Sequence, residues 1–263
     1  MTLGAAAQVP SGSRGADADQ LYAQRQTLAN AGRAADLWRA RPASDFDAAW
    51  KLARADYWIG THAADADRRP ALEDGIAAGQ RATALAPTRP EGHFWTAANM
   101  GALAESFGIM QGLKYRGRIR SELETVLKID PGWQQGSADR ALGRWYAKVP
   151  GLFGGSDKKA EQHYRASLKY NPDSTATLFF LAELLIEQKR RPEANAILQK
   201  ILDAPISPDW APEDREFKAK AAALLRQSNS PFRVVSSTVQ GSTSNVTRTK
   251  DEQDLGTTSD LGR

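Results

Sequence analysis

Between residues 138 and 172 the chain reads ADRALGRWYAKVPGLFGGSDKKAEQHYRASLKYNP, with small residues at regular helical intervals and aromatic residues beside them. Leu142-Gly143 is followed three residues later by Tyr146, then by Ala160, Tyr164 and a closing Asn171-Pro172. Gly143 and Ala160 are small where two antiparallel helices must approach closely, and Tyr146 and Tyr164 fill the space next to them. One such hairpin cannot bury its own apolar face, so it needs copies on either side. This limits the chain to an all-α stack of helical hairpins.

The copies can be found from their punctuation. Prolines that end apolar-plus-charged helical runs fall at Pro42, Pro87, Pro131, Pro172 and Pro205, at spacings of 45, 44, 41 and 33 residues. Trp50, Ala53 and Tyr57 lie on one helical face. Their expected partner is a helix over 70–85 that packs through Ile76, Gly79, Ala82 and Leu85, with the polar segment 61–69 as the joining loop. The next pair uses Phe94, Trp95, Ala98 and Leu103, then Ile119, Leu123, Val126 and Leu127, joined by a long glycine-containing connection over 107–117. Leu178, Leu181-Ala182 and Leu185, with Ala194, Leu198 and Ile201, form the most regular copy. A shorter pair over 17–29 and 32–41 caps the start, and Trp210 with a helix over 212–227 closes the other end through Phe217, Ala221, Leu224 and Leu225. The expected fold is a right-handed superhelix of about five hairpins plus a C-terminal capping helix, spanning 17–227. Residues 1–16 read as a disordered tail or the remnant of a secretory signal, and 228–263 as a disordered Ser- and Thr-rich tail in which the sequon Asn245-Val246-Thr247 occurs by chance.

Composition narrows the function classes. A net charge of +4, from 35 basic and 31 acidic side chains, is small for 263 residues and argues against a nucleic-acid partner. No apolar run approaches the roughly 18 residues needed to span a bilayer. With no cysteine in this sequence, disulfides, thiolate chemistry, sulfur metal sites and a cysteine-borne acyl anchor are not expected within it, a composition that fits periplasm and cytoplasm alike.

Leu142-Gly143-x2-Tyr146, Ala160-x3-Tyr164 and Pro172 together resemble the tetratricopeptide repeat. Tyr146-Ala147-Lys148-Val149-Pro150-Gly151-Leu152-Phe153-Gly154-Gly155-Ser156-Asp157-Lys158-Lys159-Ala160, set among long repeats, resembles the T component of tripartite (TRAP) transporters. The phrase Trp50-Lys51-Leu52-Ala53-Arg54-Ala55-Asp56-Tyr57 is similar to one in the regulator of microtubule dynamics family. The T-component resemblance implies a periplasmic protein that engages a solute-binding protein, with a superhelix enclosing a pore or groove able to pass apolar solutes. The family commonly begins with a signal and a lipid-anchored cysteine, and this chain contains no cysteine.

Chemistry is sparse by comparison. His62, His93 and His163 lie in three different hairpins with no carboxylate at metal-ligand spacing, Glu161 being off the helical face of His163, so no metal or cofactor is expected. Gly151 to Gly155 lack the Gly-x4-Gly-Lys-Ser/Thr order of a phosphate cradle. Lys114, Arg116, Arg118 and Arg120 alternate and read as a solvated face paired with acids such as Glu122 and Glu124. No nucleophile-base pair emerges, so an enzyme ranks third. A binding scaffold ranks first, and a cytoplasmic adaptor holding a partner peptide in its groove ranks second. Seven tryptophans exceed what hairpin packing needs. Trp58 and Trp145 each adjoin a core tyrosine, so one residue of each pair should face a groove; Phe153 joins them as a candidate. The loop residues Pro150, Gly154, Gly155 and Lys158 complete the expected partner-binding set, and oligomer formation is left open.

Overall fold

The computed structural model describes residues 11–229, and every regular element among them is helical. The helices are α1 (Ser11–Ala23), α2 (Leu28–Arg39), α3 (Phe46–His62), α4 (Asp65–Leu85), α5 (Pro90–Ser106), α6 (Ile109–Ile129), α7 (Trp133–Lys148), α8 (Asp157–Ser167), α9 (Thr175–Glu187), α10 (Arg191–Asp203) and α11 (Ala211–Asn229). Each packs on its neighbour in sequence along the whole series. From α3 onward each odd-numbered helix also touches the next odd one, so these helices form an inner layer backed by even-numbered helices. This is the stacked-hairpin fold that the proline rhythm implies.

Helix starts follow local chemistry. The side chains of Asp45, Ser156 and Ser174 accept hydrogen bonds from the amides of Ala48, Lys159 and Thr177, capping α3, α8 and α9. Hairpin lengths explain the uneven proline spacing. Helices α4 and α6 each run for 21 residues, whereas α9 and α10 run for 13, so only the last copy has ordinary repeat length.

Two expected connections are corrected. Segment 61–69 is not a loop: α3 continues to His62 and α4 starts at Asp65. Asp65 and Asp67 suit the positive end of the helix, and Pro70 inside α4 removes only the bond its nitrogen would have donated to Ala66. Arg68 then pins the corner, donating to the Gly60 carbonyl at 3.2 Å and to Ser106 Oγ at 2.9 Å. Nor is 107–117 a long connection, because only Phe107 and Gly108 are outside helix. Gly108, at φ +90, makes the turn, and Gly112 and Gly117 sit inside α6 with open space where a side chain would be. Helix α1 likewise begins at Ser11, within the stretch read as a tail. The remaining tail and signal readings over 1–10, and those over 230–263 including the sequon, lie outside the described residues.

The core runs as one continuous cluster from Ala18 and Tyr22 to Ala221. At its repeat crossings small residues meet large ones: a Cβ on Gly143 would lie 2.5 Å from two ring carbons of Tyr164, which is 1% exposed. Asn99 ties α5 to α3 by donating to the Ala53 carbonyl at 2.9 Å. Asp56, 1% exposed, is the costly member, meeting Arg39 at 3.3 Å with its second oxygen unpartnered. Burial pushes its carboxyl up to about 7, against the pull of Arg39. A folded-state value above the unfolded one favours folding at low pH, and that contribution is lost as pH rises from about 4 to about 7. The neutral isostere Asp56→Asn should therefore gain on the parent by on the order of 2–3 kcal/mol between pH 5 and pH 8. Chemical denaturation at the two pH values measures this, and a pH-independent difference would rule out an ionising buried carboxyl.

The final helix does more than cap the stack. Phe217 packs its ring 5.5 Å from Phe179 and 5.6 Å from Phe180, and Ala221, Leu224 and Leu225 join the cluster. Glu213, at the other end of α11, takes Arg25 in an ion pair, with Arg25 Nε donating at 2.9 Å. Arg25 also donates to the Asp209 carbonyl at 3.0 Å, and His62 Nε2 lies 3.2 Å from Glu216. Thus α11 bridges from the last hairpin back to the first ones.

Candidate functional site

The inner helices and α11 surround a cavity of about 1270 Å³. That exceeds the roughly 300–1,000 Å³ usual for small-molecule sites. Its walls are mainly apolar, with Phe94, Trp95, Ala98 and Ala102 from α5, Ile119 and Leu123 from α6, Trp145 from α7, Phe180 from α9 and Phe217 from α11. Periodicity explains this lining. On α5, apolar residues cover both faces, so one face packs against α4 and α6 while the other is left for the interior.

Charged groups enter this surface in fixed positions. Arg144 joins three inner helices, contacting Glu105 of α5 at 3.0 Å and Glu183 of α9 at 2.6 Å, with its guanidinium 4.6 Å from the Phe180 ring centre. Glu216 is pulled down to about 2 by its hydrogen bond with His62, then by Lys220, against the opposing effect of burial. Tyr57 also lines the cavity, and burial pushes its hydroxyl up to about 12. Arg140, one turn before Arg144, lies 6.0 Å from the Trp210 ring centre.

The expected groove residues divide. Trp58, Trp145 and Pro150 line the cavity; Phe153, Gly154, Gly155 and Lys158 do not. Trp58 stacks on His62 with ring centres 3.7 Å apart, and Trp145 donates its indole N–H to the Arg116 carbonyl at 3.0 Å. Of the two adjacent aromatic pairs, Trp145 lines the cavity while Tyr146 turns away to stack on His163; Tyr57 and Trp58 both line it. Phe153 sits 5.1 Å under the Arg116 guanidinium at the end of a 3-10 turn, Gly151–Phe153. Gly154, at φ +104, follows, and a side chain on Gly155 would overlap the Val149 carbonyl oxygen. Lys158 is exposed on α8, and so is Leu152 of the loop, at 89%.

The loop 149–156 is held chiefly by its backbone: the Ser156 amide donates to the Tyr146 carbonyl at 2.9 Å and the Gly155 amide to the Pro150 carbonyl at 3.2 Å. Phe153→Ala should therefore speed proteolysis of the loop only a few-fold, whereas Gly155→Ala should open it. Limited proteolysis checks this, and equal rates in the two variants would remove the backbone's assigned role.

The histidines all have acidic partners that sequence spacing missed. His62 meets Glu216, His93 meets Glu122 at 2.6 Å and His163 meets Asp139 at 2.7 Å, each from a different helix. Among the described residues no group of three or more metal-ligating side chains forms. Arg118 and Arg120 pair with Glu122 and Glu124 one turn on, as a solvated face should. The cavity residues Arg140, Arg144, Phe180 and Phe217 were absent from the expected set. Arg140 and Arg144, four residues apart on the helix of Trp145, were the readable signal.

The family model described as TRAP transporter T-component matches residues 45–232, which takes in α3 through α11. The chain belongs to this family. Family membership thus covers every helix that walls the cavity from α3 on. The chain is also 22% identical over 200 residues to regulator of microtubule dynamics protein 1 of Caenorhabditis elegans, covering 69% of this chain and 84% of that protein. Among solved structures, a thermophilic TPR protein of Thermus thermophilus superposes with a TM-score of 0.63 at 22% identity, over 82% of this chain and all of that one. Pseudomonas aeruginosa pilF gives a TM-score of 0.50 at 16% identity, over 84% and 95% of the two chains. These structural likenesses bear on fold alone: the described residues of this chain form a tetratricopeptide-like helical scaffold.

Proposed function

We propose that the protein is a non-catalytic periplasmic scaffold that engages the solute-binding protein of a TRAP system and takes apolar solute into its central cavity. The carrying observation is the large cavity with aromatic and aliphatic walls, lined on one side by α11, in a chain of the T-component family. A large, mainly apolar cavity favours ligands that gain by leaving water. The adaptor reading, with an extended peptide lying in an open groove, is disfavoured because the contacts of Arg25 with Glu213 and of His62 with Glu216 bridge the ends of that groove. The partner would dock on the rim beside the cavity. There Leu152 and Met110 are 89% and 75% exposed, and Pro150 leads from the lining to the loop that carries Phe153, Gly154, Gly155 and, beyond it, Lys158.

The test is direct binding to a TRAP solute-binding protein, measured by surface plasmon resonance. Micromolar or tighter affinity is expected, with Leu152→Asp weakening it at least tenfold, the effect of losing one buried apolar anchor at an interface. No binding by the intact protein would overturn the scaffold role, and full affinity in the variant would move the docking face elsewhere.

A further inference from the structure

The cavity is not uniformly apolar, and its charges are not evenly matched. Arg144 holds Glu105 and Glu183, Lys148 holds Glu187, and Lys220 holds Glu216. Glu213 in turn is taken by Arg25. Two lining arginines differ, since among the described residues neither Arg116 nor Arg140 has a carboxylate within 4.0 Å of its guanidinium or donates a side-chain hydrogen bond; Arg116 lies over the ring of Phe153, which is not part of the lining, whereas Arg140 lies by that of Trp210, which is. The near neighbours of Arg140 are the Trp210 ring, and Tyr57 and Glu213 at longer range. Desolvation pushes the Arg140 guanidinium below its ordinary value, against the pull of Tyr57 and Glu213, but a guanidinium stays charged at neutral pH. A partly buried cation without an anion at hydrogen-bond distance lacks the compensation that buried charges ordinarily have.

We propose that Arg140 is the head-group recognition residue of the cavity and that the solute is an amphiphilic monocarboxylate, with one carboxylate on an apolar body. The planar guanidinium fork matches a carboxylate bidentately, and the aromatic and alanine walls of α5, α9 and α11 receive the rest of the molecule. A phosphate dianion suits the site poorly. It would bring two negative charges against the single guanidinium of Arg140, in a cavity that Glu105, Glu213 and Glu216 also line. This assignment rests on the cavity being a solute site.

Three probes of the same chain length separate the two ideas: decanoate, decanol and decylamine, titrated into the full chain while tryptophan emission is followed, since Trp58, Trp95, Trp145 and Trp210 line the cavity. Decanoate should bind more tightly than decanol by on the order of tenfold to a hundredfold, the scale of one charge-assisted pair, and decylamine more weakly than either. In Arg140→Gln the preference for decanoate should vanish while decanol affinity is kept, which also reports that the variant is folded. If wild-type protein binds decanoate and decanol equally, the role of Arg140 is overturned while the apolar cavity reading stands, a comparison that needs no variant. If Arg140→Gln keeps the preference, another group recognises the head and the assignment is wrong. If none of the three binds, the solute-cavity reading falls and the assignment falls with it.

Discussion

Ending the chain after Pro212 should lower its thermal midpoint by on the order of 10–25 °C, while ending it after Gln227 should leave the midpoint within a degree or two. The first cut removes nearly all of α11. Phe217, Leu224 and Leu225 leave the core, the sealed Ala221 position opens, and the inner side of the last hairpin is wetted around Phe179 and Phe180. Fully burying a large apolar side chain is worth roughly 1.5–3 kcal/mol; Phe217, Leu224 and Leu225 are partly buried and contribute toward the lower end of that range, and with the wetting of Phe179 the loss is still a large fraction of a marginal domain's stability of about 5–15 kcal/mol. The loss extends beyond the last hairpin, because Arg25, left partly buried in the first turn region, loses Glu213 and the Asp209 carbonyl loses its place beside it. The second cut removes a stretch rich in Ser, Thr and charge, with little apolar surface to contribute. Equal midpoints for the two truncations would show that α11 neither caps the stack nor closes it.

Tyr164→Ala should destabilise the protein by about 3–5 kcal/mol, among the largest costs of any single truncation here, since the ring is fully packed between α7, α8 and α9. Gly143→Val approaches the same spot from the other helix: its Cβ would meet the Tyr164 ring at 2.5 Å, too close without displacement. Overpacking of this kind costs roughly 1–3 kcal/mol. The two changes are complementary in volume, so the double variant should be more stable than the sum of the single losses by at least about 1 kcal/mol. Urea unfolding of the four proteins closes the cycle. Strict additivity would mean that Gly143 and Tyr164 do not share the contact that sets the hairpin crossing.

That pair shows how much of the fold is legible in the sequence. Gly143, Ala160 and Tyr164 determine a close helix crossing through size alone, and size is written residue by residue. The repeat count, the all-α class and the closing role of Phe217, Ala221 and Leu224 follow from the same short-range periodicity. The stretches 61–69 and 107–117 are mostly helical despite their composition, because polar and glycine-rich composition signals a loop only when no neighbour is available to pack on. Helices α4 and α6 extend through those stretches because α3 and α5 are there to meet them.

The cavity was legible only in fragments. Trp58 and Trp145 could be picked out since two adjacent aromatics cannot both enter one helical stripe, but which loop residues reach the interior depended on a path set by backbone hydrogen bonds from Gly155 and Ser156. The pairing of every histidine with an acid from another helix had no sequence spacing to betray it. Closure of the stack is the extreme case. Arg25 and Glu213 are separated by 188 positions, and their meeting depends on the accumulated rotation of all the hairpins between them, to which each helix length contributes. Local patterns determine each hairpin, whereas a small angle repeated over several hairpins decides where the ends arrive. The unmatched charge of Arg140 is a product of that arrival, since it is set by which acids the closing helix brings near and which partners those acids have already taken.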